Sequence, residues 1–189
     1  MNKKIDKIRK IVKETCEDGD WKYHMLPVIK YAKKLAKIYK ADEEIVELAA
    51  LLHDIGRTKL HDDENHHISG VLEAEKILKK YNYSEKIIEE VKHCVKSHRG
   101  SKDIKRKTIS AKIIANADAM AHFDVLPIFF YWRKDKNSFG EIVEWVDEKI
   151  ERDWNKKITL SKARKMVEKK YRAIKLLLNS LKSTGSTEV

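Results

Sequence analysis

Apolar residues recur at intervals of three and four along nearly the whole chain, and no run of alternating apolar and polar residues interrupts them. That period is the signature of helices that bury one stripe. Only 6 glycines and 2 prolines punctuate 189 residues, too few for the frequent turns of a sheet-rich protein. The expectation is an all-α fold, a single-domain helical bundle (1–189) of about eight helices. A mass of 22.2 kDa is enough to bury one substantial core.

Caps and breakers place the elements. Ile5, Ile8, Ile11 and Val12 stripe the first helix, and Gly19 follows it. A second helix is expected from about Tyr23 to Tyr39, with Pro27 tolerated in its opening turn. A third begins at the Asp42 cap and ends at Ile55-Gly56. HDDEN, residues 61–65, reads as a polar loop. Further helices are expected over about 66–80, 84–98, 107–123, 138–153 and 160–182, with a frayed tail at 183–189. The aromatic run VLPIFFYW, residues 125–132, reads as a short buried helix, a homodimer surface being the alternative.

Several function classes recede at once. The start, MNKKIDKIRK, is charged from its second residue and resembles no signal peptide. VLPIFFYW is far too short to span a bilayer. Cys16 and Cys94 sit in no metal-ligand spacing and suggest no disulfide framework. A soluble, cytoplasmic protein without a membrane partner is expected. The formal charge of +11 would suit nucleic acid, an acidic surface or a small phosphorylated substrate. Yet the lysines alternate with Glu and Asp along almost every helix, the pattern of a solvated surface. No nucleic-acid-binding motif is visible.

One stretch breaks the pattern. In ELAALLHDIGR, residues 47–57, five apolar residues run directly into His53 and Asp54. So apolar a segment is buried on all sides, and an isolated carboxylate there is very costly unless it is paired or binds metal. The two side chains point about 100° apart on a helix and could share an ion beyond its end. The alternative is a capping histidine and an aspartate that accepts bonds from nearby amides.

Helical phase selects possible partners. His24 falls on the face of Val28, Tyr31, Ala32 and Leu35; His67 on that of Val71, Ala74 and Leu78; His98 on that of Ile88, Val91, Cys94 and Val95. His66 and His93 point away from those stripes, toward water. Asp118 lies in the otherwise apolar helix of Ile109, Ile113, Ile114, Ala117 and Met120, as a ligand or as a helix-packing acceptor. His122 and Asp124 read as outer or surface groups.

The order His24, His53-Asp54, Asp118 resembles the HD superfamily of metal-dependent phosphohydrolases. So do the segments PVIKYAKKLA, LAALLHDIGR, HHISGVLEAEKIL, VKHCVKSH and AKIIANADAMAHFD, over about residues 21–125, with the helices of 126–182 packed on that core. The resemblance implies an all-helical fold with a divalent ion held by His24, His53, Asp54 and Asp118. It also implies that branches with a second ion would use His67 and His98, with Asp54 as the bridge. Mixed imidazole and carboxylate ligands suit Mn, Fe, Co, Ni or Zn, with Mg possible. Such an ion lowers the pKa of its water from ~15.7 toward ~7, which suits attack on phosphorus. Arg57 and Arg99 are the expected phosphate-binding groups.

Two departures narrow the match. The 5′-nucleotidase branch places a glutamate near the position of Arg57, and the alarmone-hydrolase branch an acidic pair where this chain has Thr58 and Lys59. The expected substrate is therefore a small phosphate ester, a nucleotide in kind but without a named base. Two other readings stand beside it. One is a di-iron oxygenase, because a relative of this fold has that chemistry. The other is a non-catalytic nucleotide-sensing or nucleic-acid-binding module.

Overall fold

A computed structural model of the chain describes residues 3–17, 19–100, 102 and 104–184. Among them there are helices and no strands. The first helix, α1 (Lys3–Thr15), buries Ile5, Ile8 and Val12. A π-helical turn, Trp21–Met25, runs without a break into α2 (Leu26–Tyr39), so Pro27, in the first turn of α2, lies inside a continuous helical stretch rather than at its start as expected. α3 (Glu43–Leu52) starts at Asp42, whose carboxylate accepts from the amides of Glu44 and Ile45 at 2.9 and 3.1 Å, a cap that contributes ~1 kcal/mol.

Gly56 does not stop the third helix as expected. The chain turns at His53 and Asp54, and α4 (Ile55–Leu60) resumes immediately with Gly56 inside it. The missing side chain serves a close approach instead. A Cβ on Gly56 would lie 2.5 Å from the carbonyl oxygen of His66 and 2.7 Å from the amide nitrogen of Gly70. Two glycines thus let α4 lie against α5 (His66–Lys80) nearly backbone to backbone. α6 (Glu85–Ser97) follows, then α7 (Ile109–His122), capped by Thr108.

α3 and α7 are the interior helices. Leu48 through Leu52 are fully buried, and α3 packs on α1, α2, α6 and α7. In α7 every residue from Ile113 to His122 is buried, and Ala111, Ala115, Ala117, Ala119 and Ala121 let α2 and α6 approach closely. α8 (Leu126–Arg133) is only half a core helix. Leu126 and Phe129 are buried, but Tyr131 is 62% and Trp132 38% exposed, so the expectation of a buried aromatic helix is corrected. A helix of two turns packed on one side leaves its other side, and these two rings, turned outward.

α9 (Phe139–Arg152) begins with a capping box between Ser138 and Glu141 and ends in a second π-helical turn, Asp153–Lys157. α10 (Ser161–Thr184) closes the described chain. It takes in two residues of the expected frayed tail, 183 and 184, and residues 185–189 lie outside the described residues. The division is finer than about eight helices, because the His53-Asp54 turn splits one helix and π turns begin or end two others. One apolar cluster runs from Ile5 through Leu178. No single described helix is long and apolar enough to cross a membrane.

Candidate metal centre

Helix ends deliver the polar groups to one point. His53 and Asp54 form the turn after α3, His24 comes from the first π turn, His66 opens α5, His98 follows α6, and Asp118 sits on the last turn but one of α7. All six are buried.

Asp54 stands between two groups of ligands. Its Oδ2 lies 3.4 Å from His24 Nε2 and 3.6 Å from His53 Nε2. Its Oδ1 lies 3.5 Å from His66 Nε2 and 3.4 Å from His98 Nε2. Asp118 Oδ1 is 3.6 Å from His24 Nε2. His24, His53 and Asp118 each offer an atom within 4.8 Å of the others, and so do Asp54, His66 and His98.

Tautomers decide what this cluster can hold. His53 Nδ1 is 2.9 Å from the carbonyl oxygen of Ala50, His66 Nδ1 3.0 Å from that of Asp63, and His98 Nδ1 2.6 Å from that of Val95. A carbonyl only accepts, so each Nδ1 carries the proton and donates it. Each neutral ring then presents a bare Nε2 lone pair to the cluster. Burial keeps two of these rings neutral, holding His53 down to about 4 and lowering His66. Burial also opposes ionisation of Asp54 and Asp118. The Arg57 guanidinium overcomes it at Asp54 and the Lys157 ammonium at Asp118, so both carboxyls stay well below the usual range. His24 and His53 bring their Nε2 atoms to 3.2 Å, and His24 Nδ1 is buried without a hydrogen-bond partner. Lone pairs and carboxylates that converge so closely fit a divalent cation, with the backbone carbonyls as the outer shell that orients the rings.

The structure brings together His24, His53, Asp54, His98 and Asp118 as the sequence suggests, but it exchanges two neighbours. His66, expected to face water, points at Asp54 and is only 9% exposed. His67, expected in the site, is buried instead against Arg99, with Nδ1 3.5 Å from the guanidinium. The buried face of α5 also includes Gly70 and Glu73, which share the His66 stripe with Ile77. Counting only apolar residues missed that stripe, because a contact-making glycine and an ion-paired glutamate do not register as apolar. His93 stays outside and accepts from the Lys107 amide at 3.0 Å.

Both expected phosphate-binding arginines line the cavity over the cluster. Arg57 donates to Asp54 Oδ2 at 3.1 and 3.2 Å and to Asp20 Oδ2 at 3.2 Å. Arg99 donates to the carbonyl oxygen of Glu64. The expected outer groups differ: Asp124 bonds Tyr31 and Lys170 away from the site, whereas His122 is buried beside Asp118.

Sequence reasoning missed the second π turn. It carries Asp153 and Lys157 into the interior, where the Lys157 ammonium bonds Asp118 and His122 Nδ1 donates to Asp153 Oδ2 at 2.7 Å. Lys149 stands 3.4 Å from Asp153. Nothing in DWNKK distinguishes Lys157 from the surface lysines around it. The one available signal is tertiary.

Residues 21–122 match the model of the HD domain family. The chain is 34% identical over 115 residues to a tRNA (cytidine(56)-2′-O)-methyltransferase of Picrophilus torridus, a match that covers 53% of this chain and 31% of that protein. It is 33% identical over 98 residues to a ribonuclease Y of Alkaliphilus metalliredigens, covering 52% of this chain and 19% of that one. The chain therefore spans less than a third of the length of either relative. Among solved structures, Bacillus subtilis YpgQ in complex with ADP superposes with a TM-score of 0.75 at 20% identity, over 96% of this chain and 95% of that one.

Proposed function

This chain belongs to the HD-domain family, and we propose that it is a metal-dependent phosphohydrolase acting on a nucleotide or a similar small phosphate ester. The observation that carries the reading is the pair of ligand groups joined by Asp54, with three histidines fixed by backbone carbonyls so that only lone pairs face inward. His24, His53 and Asp118 would hold one ion, His66 and His98 a second, and Asp54 would bridge them. A divalent ion there supplies Lewis acidity toward a phosphoryl oxygen and a water nucleophile ionised near neutral pH.

The protein's own groups do the rest. Arg57, whose Nε, Nη1 and Nη2 already donate to Asp54 and Asp20, lines the cavity and would offer its remaining N–H groups there, and Arg99 lines the same cavity. Together they bind phosphoryl oxygens and stabilise the charge that grows there during transfer. Buried α3 and α7 keep the ligand set rigid, so little reorganisation is needed when substrate arrives.

The test is a panel of nucleotides and phosphate esters assayed with Mn, Co, Ni, Fe and Mg, with Asp54→Ala as control. Hydrolysis in at least one metal, lost together with bound metal in Asp54→Ala, is expected. Oxygen consumption with an iron spectrum would favour the oxygenase reading. Tight nucleotide or RNA binding without turnover in any metal would favour the binding module.

A further inference from the structure

A cavity of about 800 Å³ lies over the cluster, and one wall is built from residues beyond the 21–122 match. The rings form a continuous path. His24 stacks on His122 at 5.3 Å, His122 meets Phe129 at 5.2 Å, and Phe129 meets Trp132 at 5.9 Å and Trp145 at 5.8 Å. Trp132 is the partly exposed end of that path, with the Arg57 guanidinium 5.8 Å from its centroid. The Arg133 guanidinium lies 4.2 Å over the Trp145 ring, and its buried Nε finds no hydrogen-bond acceptor.

These features have a common explanation. Arg133 lines the cavity with its guanidinium held over Trp145, a placement that suits a ligand bringing a hydrogen-bond acceptor. An indole face a short ring path from the ligand cluster suits a flat aromatic group on the same ligand. We propose that α8 and α9 form a nucleobase subsite: the base of a nucleotide stacks on Trp132, and the Arg133 guanidinium, which lines the same cavity, donates to an acceptor on the non-reacting half of the molecule. The inference rests on the reading of the cluster as the place where the phosphate is held, and it names the substrate class of that site. The cavity is of the size that takes a small organic ligand whole. Its wall carries the two elements that nucleotide sites combine, an aromatic platform and a guanidinium.

The experiment is a titration of the full chain, followed by tryptophan fluorescence and calorimetry, with AMP, GMP, UMP and base-free ribose 5-phosphate. Nucleotides should bind more tightly than ribose 5-phosphate. Trp132→Ala should weaken nucleotide binding roughly 5- to 150-fold, the range of one base-on-aromatic stack, and shrink the gap to ribose 5-phosphate. Trp132→Phe should restore most of the affinity, which separates stacking from a folding defect. Arg133→Gln should weaken nucleotides in the same direction. Equal binding of nucleotides and ribose 5-phosphate, or wild-type nucleotide affinity in Trp132→Ala, overturns the subsite. The two readings fail separately: Trp132-dependent binding without hydrolysis sinks the enzyme and keeps the subsite. Hydrolysis that ignores the base does the reverse.

Discussion

His66 Nε2 stands 3.5 Å from Asp54 Oδ1, while the adjacent His67 turns its ring to Arg99. One residue of helix separates a group that faces the cluster from one that braces an arginine. His66→Ala should therefore lower the metal bound per chain, and His67→Ala should leave it close to the wild-type value. Inductively coupled plasma analysis of the purified variants decides between them. Metal loss in His67→Ala alone would reverse the assignment.

The position of His66 depends on Gly56. An added Cβ would meet backbone atoms of α5 at 2.5 and 2.7 Å, and backbone cannot swing aside as a long side chain can. Gly56→Ala should cost about 1–3 kcal/mol through overpacking and move His66 away from Asp54. A lowered Tm accompanied by weaker metal binding is expected. An unchanged Tm would mean that α4 and α5 separate freely.

Lys157, 3% exposed, compensates Asp118 in the interior. Lys157→Met removes the ammonium and leaves a carboxylate with less opposing charge, at a cost of roughly 3–5 kcal/mol without metal. A divalent ion bound to Asp118 would replace part of that charge. Thermal melts in chelator and in Mn²⁺ should show a larger rise on adding metal to the variant than to the wild type. Equal melting temperatures for the two proteins in chelator would remove Lys157 from this role.

Acid should destabilise the metal-free protein. Burial holds His53 down to about 4, against ~6.5 in an unfolded chain. Between those values the unfolded state binds a proton that the folded state does not, so stability falls as pH falls through this window. The loss from His53 is on the order of 3 kcal/mol. The depressed carboxyls of Asp54 and Asp118 add a loss of the same sign at lower pH, where only the unfolded chain takes up their protons. Melts in chelator should show Tm dropping from about pH 7 to about pH 5. A level Tm across that interval would show that His53 is not buried as a neutral ring.

Much of this protein is legible in its residues alone. The helices follow from a local period, and their starts from local caps such as Asp42, because a helix hydrogen-bonds within itself. The anomaly of His53 and Asp54 at the end of Leu48–Leu52 was visible for a similar reason: burial of that run follows from composition, so ionisable groups attached to it must have partners. Phase placed His24, His98 and Asp118 inward, since each lies in a stripe marked by apolar neighbours.

Tertiary structure alone decided the rest. Which of His66 and His67 meets Asp54 depends on how closely two glycines let α4 and α5 approach, and that contact leaves no apolar signature. Lys157 looks like any surface lysine until the π turn after α9 points it at Asp118, which lies 39 residues earlier in the chain. Trp132 reads as core in a run of aromatics until α8 shows which side faces the cavity. Period and capping energies act between residues a few positions apart and can be read from their order. Ion pairs, ring contacts and close backbone approaches act between residues brought together only when the helices pack.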